Sequence, residues 1–346
     1  MRLLVRWTVR VCIVLVTVLC VTLITGWAYE YAAETFDAHR YPPPGIMVPV
    51  GGHKVDLFCE GTGTPTVVME TGSGEPAVLF RPIQEKVAEL TRACSYDRAG
   101  IGWSEANLKL QTIQDRAAEL YALLRNADVP GPYVLVAHSY GGLIARIFVR
   151  DHPADVRGLV LVDAAEEGYV FLPDFLDAIR GSLALRRRSE LLARLGVPRL
   201  RFSLNHEQFG IRTDLLGDVR GEMIAFFSKP SFVRATTDEG RSYLFVPNEM
   251  RRPGGFGALN TIPLIVIRHG QPSNSILVPS GISQDQFEKL WAEGQERLKN
   301  LSSNSEIVVA TKSGHMVNLD QPELVIDAAR RVVTSVRAGV PVSQVR

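Results

Sequence analysis

An α/β fold with a mostly parallel sheet, carried behind one membrane-spanning helix, is predicted by three features of the chain. Apolar, β-branched runs recur between turn residues, helical patterns separate several of them, and a long uncharged stretch precedes them all. The 346 residues carry 38 Lys+Arg against 37 Asp+Glu, with 46% hydrophobic and 22% charged residues. That balance belongs to a globular chain with a large core, and a net charge of +1 argues against a general nucleic-acid binder. Cys12 and Cys20 lie in the uncharged stretch, leaving only Cys59 and Cys94 for the remainder, which excludes a disulfide-dense scaffold and a Cys-ligated zinc site. The cysteine count calls for no cofactor.

From Val11 to Tyr29 the residues VCIVLVTVLCVTLITGWAY carry no charge. As a helix they span about 28 Å, close to the hydrocarbon thickness of a bilayer. Arg2, Arg6 and Arg10 precede the stretch and Glu30, Glu34 and Asp37 follow it, so the positive-inside rule predicts a cytoplasmic N-terminus, a cell-membrane location and everything after residue 30 outside. Trp27, Tyr29 and Tyr31 fall at the outer interface. The expected organisation is a tip and anchor over 1–29 and a stalk over 30–45, whose YPPPG end favours extended polyproline geometry. The competing reading is a cleaved signal peptide and a secreted protein, since Gly26 and Ala28 suit a cleavage site, but the apolar run is longer than the usual signal. A buried core helix fits the flanking charges poorly.

Beyond the stalk, IMVPV and KVDLFCEG have no helix between them and should form an antiparallel hairpin. PTVVMETG, RACSYDRAG, YVLVAHS and GLVLVDAA follow, and after a long gap come IPLIVIRHG and SEIVVATKSG, making eight strand candidates. AVLFRPIQEKVAEL, TIQDRAAELYALLRNA, GGLIARIFVRDHP and QPELVIDAARRVVTSV read as helices covering both faces of a parallel sheet. The core is thus expected over 46–165 and 260–346, with a helical cap inserted over 166–259. Within the cap, Arg180, Arg186, Arg187, Arg188, Arg194, Arg199 and Arg201 form a basic segment open to anionic lipid, an acidic substrate or plain solvent. Phe171, Phe175, Phe202, Phe209, Phe226, Phe227 and Phe232 suit either a cover for an apolar acyl group or the cap's own small core.

YVLVAHS runs into Ala137-His138-Ser139-Tyr140-Gly141-Gly142 and then the helical LIARIFVR. A serine on a tight strand-to-helix turn needs small residues two before and two after it, because larger side chains collide with the neighbouring strand and helix. Ala137 and Gly141 meet that need, although Ala137 departs from G-x-S-x-G by one methyl group. Ser139 is therefore the candidate nucleophile.

With these motifs the chain resembles the α/β-hydrolase superfamily from about Ile46 to Val336. SYDRAGIGWS (Ser95 to Ser104) is similar to the segment after the fourth strand in esterase- and lipase-like members. SGHMVNLDQPELVIDAARRVV (Ser313 to Val333) is similar to their histidine loop and last helix, and GPYVLVAHSYGG and RGLVLVDAA also match. The resemblance implies an eight-stranded sheet with an antiparallel second strand, a cap after the sixth strand, and hydrolysis without cofactor. A serine hydroxyl needs a histidine to take its proton, and of the seven histidines only His315 sits in a loop between the last strand and last helix, where the superfamily's base belongs. His39, His53, His138, His152, His206 and His269 are scattered elsewhere, which argues against a metal site.

The superfamily's acid commonly follows the seventh strand, but Gly270-Gln271-Pro272-Ser273-Asn274 holds no carboxylate. A second placement, the end of the sixth strand, is occupied by Asp163, which becomes the expected acid, with Asp285 the alternative. Asp97, beside Arg98, more readily braces its own loop. The resemblance names the backbone N–H groups of Tyr140 and Ser73 as oxyanion donors, although Thr71 stands where relatives often have histidine. It also makes the strands of Cys59 and Cys94 antiparallel neighbours, so these thiols either form a disulfide or remain free. The implied activity is cleavage of a small-molecule carboxylic ester by a membrane-anchored serine hydrolase. An aminopeptidase or amidase, with Glu166 and Glu167 holding an amine, and a non-catalytic binding protein are the alternatives.

Overall fold

The computed structural model describes residues 2–204, 219–252, 254–273, 278–279 and 281–345. Its centre is a sheet of β1 (Ile46–Val50), β2 (His53–Glu60), β3 (Thr66–Glu70), β4 (Ala93–Tyr96), β5 (Tyr133–His138), β6 (Val156–Val162), β7 (Leu264–His269) and β8 (Ser305–Ala310). The order is β1-β2-β4-β3-β5-β6-β7-β8, and β2 runs antiparallel to both its neighbours while the other pairs are parallel. Each strand coincides with one of the eight apolar runs. The central strands read as continuous apolar sequence because helices cover both faces. The pleat of β5 sends Leu135 and Ala137 into a core with Leu120, Leu143, Ile147 and Phe148, and Val134 and Val136 into another with Phe80, Ile83, Val325 and Val332.

The helices are α1 (Arg2–Arg40), α2 (Arg81–Ala88), α3 (Ile113–Asn126), α4 (Gly141–Asp151), α5 (Glu167–Val170), α6 (Pro173–Arg194), α7 (Val197–Leu204), α8 (Arg220–Ser228), α9 (Pro230–Ser242), α10 (Gln284–Lys299), α11 (Val317–Asp320) and α12 (Pro322–Ala338). Helices α5 to α9 form the cap after the sixth strand. A capping box of Thr112 and Asp115 starts α3, and one of Ser283 and Gln286 starts α10, a helix the sequence reading lacked. Phe287, Trp291 and Leu298 lie on its buried face.

The expected extended stalk is corrected in its first part, because α1 continues unbroken to Arg40. No proline or glycine interrupts residues 30–40, and the helix is held from outside. Buried Arg199 of α7 donates to Glu30 at 2.8 and 2.9 Å and to Asp37 at 2.5 Å. The backbone leaves the helix at Tyr41, whose carbonyl accepts a 2.9 Å hydrogen bond from the Trp103 indole. The apolar part of α1 is long enough to cross a membrane and buries none of its most apolar window inside the protein, which removes the core-helix reading.

Cys59 and Cys94 face each other across the β2–β4 pair and are joined in a disulfide. The bridge closes a loop of 35 residues, so reduction or Cys59→Ser is expected to cost about 4 kcal/mol through the freed unfolded chain. A thermal melt with and without reductant measures it.

Candidate active site

Ser139 sits between β5 and α4 with φ +50°, the left-handed region that L-residues avoid. Three backbone hydrogen bonds hold it there: its N–H donates to Val162 at 3.1 Å, and its carbonyl accepts from Gly142 at 3.0 Å and Ala165 at 2.9 Å. The small neighbours are required by contact. A Cβ on Gly141 would lie 2.6 Å from the Thr71 carbonyl oxygen, and one on Gly142 would lie 2.5 Å from the Ala164 methyl. Ala137 is fully buried in register with Glu70 and Leu161, so its extra methyl fits without breaking the strand.

His315 lies in the loop between β8 and α11. Its Nε2 is 2.8 Å from Ser139 Oγ, and its Nδ1 is 2.6 Å from Asp163 Oδ2. Asp163, just past β6, also accepts from the Trp291 indole N–H at 2.9 Å, the His269 backbone N–H at 3.0 Å and His269 Nδ1 at 2.7 Å. Burial alone would raise its pKa, but the hydrogen bonds from His269 and His315 outweigh that and hold the carboxyl well below the usual range. Asp285 lies in the first turn of α10, and no hydrogen bond or ion pair joins it to His315 among the described residues. Asp163 and the two imidazoles also offer three donor atoms within 4.8 Å of one another. These atoms are already paired with each other at hydrogen-bond distances.

Two histidines unassigned by sequence flank this chain of hydrogen bonds. His138 Nε2 is 2.9 Å from the His315 carbonyl oxygen, which can only accept, while Nδ1 is 2.9 Å from Glu75. Both ring nitrogens thus face acceptors. Burial opposes the charged ring, yet Glu75 raises the His138 pKa, and the Glu75 carboxyl is itself lowered by His138. His269 is held the same way between Asp163 and Glu288, the latter at 2.6 Å, and its pKa is pushed up to about 9 by these carboxylates against the effect of burial. His315 shifts the opposite way: burial and the His138 charge lower it despite the Asp163 hydrogen bond. One available signal was the position of His138 immediately before the serine; another was His269 closing β7 where relatives carry their acid nearby.

The loop after β3 is held by a clamp. Buried Arg98 donates to the carbonyls of Thr71 at 2.8 Å and Gly72 at 2.5 Å, and it pairs with Glu70 at 2.5 Å and with Glu239 of α9 at 2.8 Å. Glu239 in turn accepts from Ser73 Oγ and the Gly74 N–H, both at 2.8 Å. The Gly72 N–H is occupied by Glu75 at 2.8 Å. No hydrogen bond among the described residues engages the backbone N–H of Ser73 or of Tyr140. The Thr71 hydroxyl donates to the Glu75 carbonyl at 2.8 Å. Asp97 accepts from the Ala77 and Trp103 N–H groups at 2.7 and 3.0 Å, bracing its own loop, with its pKa pushed up to about 6 by burial.

Other candidates have structural partners. Glu166 pairs with Arg297 at 2.7 Å and Glu167 with Arg146 at 2.5 Å. His53 lies 3.0 Å from Glu119, and His152 stacks on Tyr121. Phe226 packs edge-on against Trp103, Phe171 stacks on Phe256, and Phe175 meets Tyr169 and Tyr243, so these serve as core. Phe232 reaches the loop after β3, where its ring would lie 3.6 Å from a Cβ built on Gly74. His206, Phe209 and Asn274 lie outside the described residues.

Comparison with known proteins places this geometry in a family. Residues 71–328 match the model described as the Alpha/beta hydrolase family. The uncharacterized protein YqjL of Bacillus subtilis is 33% identical over 118 residues, which is 33% of this chain and 47% of that protein. The chain spans less than half the length of that relative and of others it matches in Schizosaccharomyces pombe and Hormonema carpetanum. Among solved structures, a thermophilic esterase from Thermogutta terrifontis shares the fold with a TM-score of 0.60 and 19% identity, over 84% of this chain and 98% of the esterase. The epoxide hydrolase CorEH does so with a TM-score of 0.61 and 18% identity, over 84% and 99%. The match over most of the sheet, the elbow and the histidine loop shows that this chain belongs to the alpha/beta hydrolase family.

Proposed function

We propose that the chain is a membrane-anchored serine hydrolase that cleaves a small-molecule carboxylic ester through an acyl-enzyme. The observation that carries this reading is the unbroken chain from Ser139 Oγ through His315 to Asp163, at 2.8 and 2.6 Å. Ser139 attacks the ester carbonyl as His315 Nε2 takes its proton, and Asp163 stabilises the imidazolium that forms. The N–H groups of Tyr140 and Ser73 receive the oxyanion. His315 then returns the proton to the leaving alcohol, and water, deprotonated by the same ring, releases the acid. The carboxylate nucleophile of epoxide hydrolases has no counterpart at the elbow, where Ser139 stands. An amine-holding site loses its candidates to the Arg297 and Arg146 pairs. Phe232 beside the oxyanion loop favours an apolar acyl part. The uncharged helix supports anchoring at the cell membrane, with the N-terminus cytoplasmic and the hydrolase outside.

A p-nitrophenyl ester tests the reaction: a burst of one nitrophenolate per active site and an acyl group recovered on Ser139 are expected. Steady turnover with no adduct at Ser139 under rapid quench would contradict the acyl-enzyme. The pH profile follows from His315, which works only as the neutral base. Because its pKa is lowered, kcat/KM is retained below about pH 6.5, the ordinary histidine value, and is lost as pH falls through the depressed pKa. His138→Gln removes the neighbouring positive charge, so the acidic limb of kcat/KM should move to higher pH. An unmoved limb would show that His138 does not tune the base.

A further inference from the structure

Where α6 turns into α7, the cap carries apolar side chains that no other described residue covers: Leu191 is 60% exposed, Leu192 44%, Val197 42% and Leu200 54%. The same corner packs directly against α1. A Cβ on Gly26 would lie 2.9 Å from the Leu195 carbonyl oxygen, and one on Gly196 would lie 2.6 Å from the Tyr29 ring. Gly26 and Tyr29 both belong to the uncharged stretch, and Gly26 lies three residues, about 4.5 Å, inside its outer end. Whatever packs against Gly26 is therefore at the depth of the outer hydrocarbon edge. The corner cannot swing away without separating buried Arg199 from Glu30 and Asp37. Exposed Arg201 lies beside Leu200 in sequence and suits lipid phosphates, whereas Arg194 is paired with Glu190 at 3.0 Å.

We infer that the α6–α7 corner is a second lipid contact, seated in the outer edge of the bilayer beside the spanning helix. The inference rests on the proposed anchor and adds to it that the cap itself is held against the membrane. Depth and exposure both argue for lipid as the occupant, because the leucines flank a contact made within the apolar stretch.

The test uses the full chain with Cys12→Ala and Cys20→Ala, reconstituted in phosphatidylcholine liposomes containing shallow doxyl-labelled lipid. An NBD probe is attached in turn at Leu192→Cys, Trp27→Cys and Leu108→Cys, the last being an exposed core-domain position, and each variant's fold is checked by circular dichroism. Quenching at 192 comparable to that at 27, and several-fold stronger than at 108, is expected. A probe at 192 as unquenched as at 108, with 27 quenched, would overturn the inference and leave the anchor standing. If 27 is also unquenched and carbonate extracts the chain, the anchor fails and this contact with it.

Discussion

Ser139→Ala is expected to lower kcat/KM for an ester by about 10⁴-fold or more with the fold intact, since removing a nucleophile leaves only binding and oxyanion donors. The substitution keeps the left-handed turn no more strained than before, because serine and alanine share the same Cβ cost at φ +50°. The three backbone hydrogen bonds around the residue are also untouched. Circular dichroism and the thermal midpoint should match wild type, so the loss reads on chemistry. A decrease of less than ten-fold would move the reaction to another group.

Asp163→Asn is expected to lower kcat by about 10³–10⁴-fold, the effect of presenting a histidine base in the wrong tautomer. Its two oxygens receive two hydrogen bonds each, Oδ1 from Trp291 and the His269 backbone, Oδ2 from His269 Nδ1 and His315 Nδ1. An asparagine has a single acceptor oxygen, so whichever way it turns, two donors face an NH₂ group. With its oxygen kept toward Trp291 and the His269 backbone, the NH₂ meets both imidazoles and His315 loses the proton acceptor that sets its tautomer. Asp285→Asn, at the start of α10, should leave kcat unchanged. The reverse pattern, with Asp285 essential and Asp163 dispensable, would move the acid to the alternative position.

The parts of the fold legible in the sequence are those set by local pattern. Strands such as β5 and β6 announce themselves as apolar runs ending in turn residues, and the elbow is confined to a few consecutive positions around Ser139. His315 and Asp163 were accessible only through their places in chain order, since they lie 152 residues apart and meet through the sheet. What stayed hidden depends on long-range partners. Nothing local tells Glu239 of the cap that it will hold Ser73 and Arg98, or tells Glu75 that it will face His138. The helical start of the stalk is hidden for the same reason: YPPPG does favour extended backbone, but the helix before it is stabilised by Arg199, 162 residues away from Asp37. Helix α10, by contrast, carries a capping box of Ser283 and Gln286 and a periodic apolar face of Phe287, Trp291 and Leu298, both local signals.

Fluorophosphonate labelling of the intact chain, with mass mapping of the adduct, tests the Ser139–His315–Asp163 chain most directly because it reports an activated serine without needing the substrate. A single adduct on Ser139, lost in His315→Ala, is the predicted result. A folded wild-type protein that stays unlabelled, or that labels at a different serine, would contradict it.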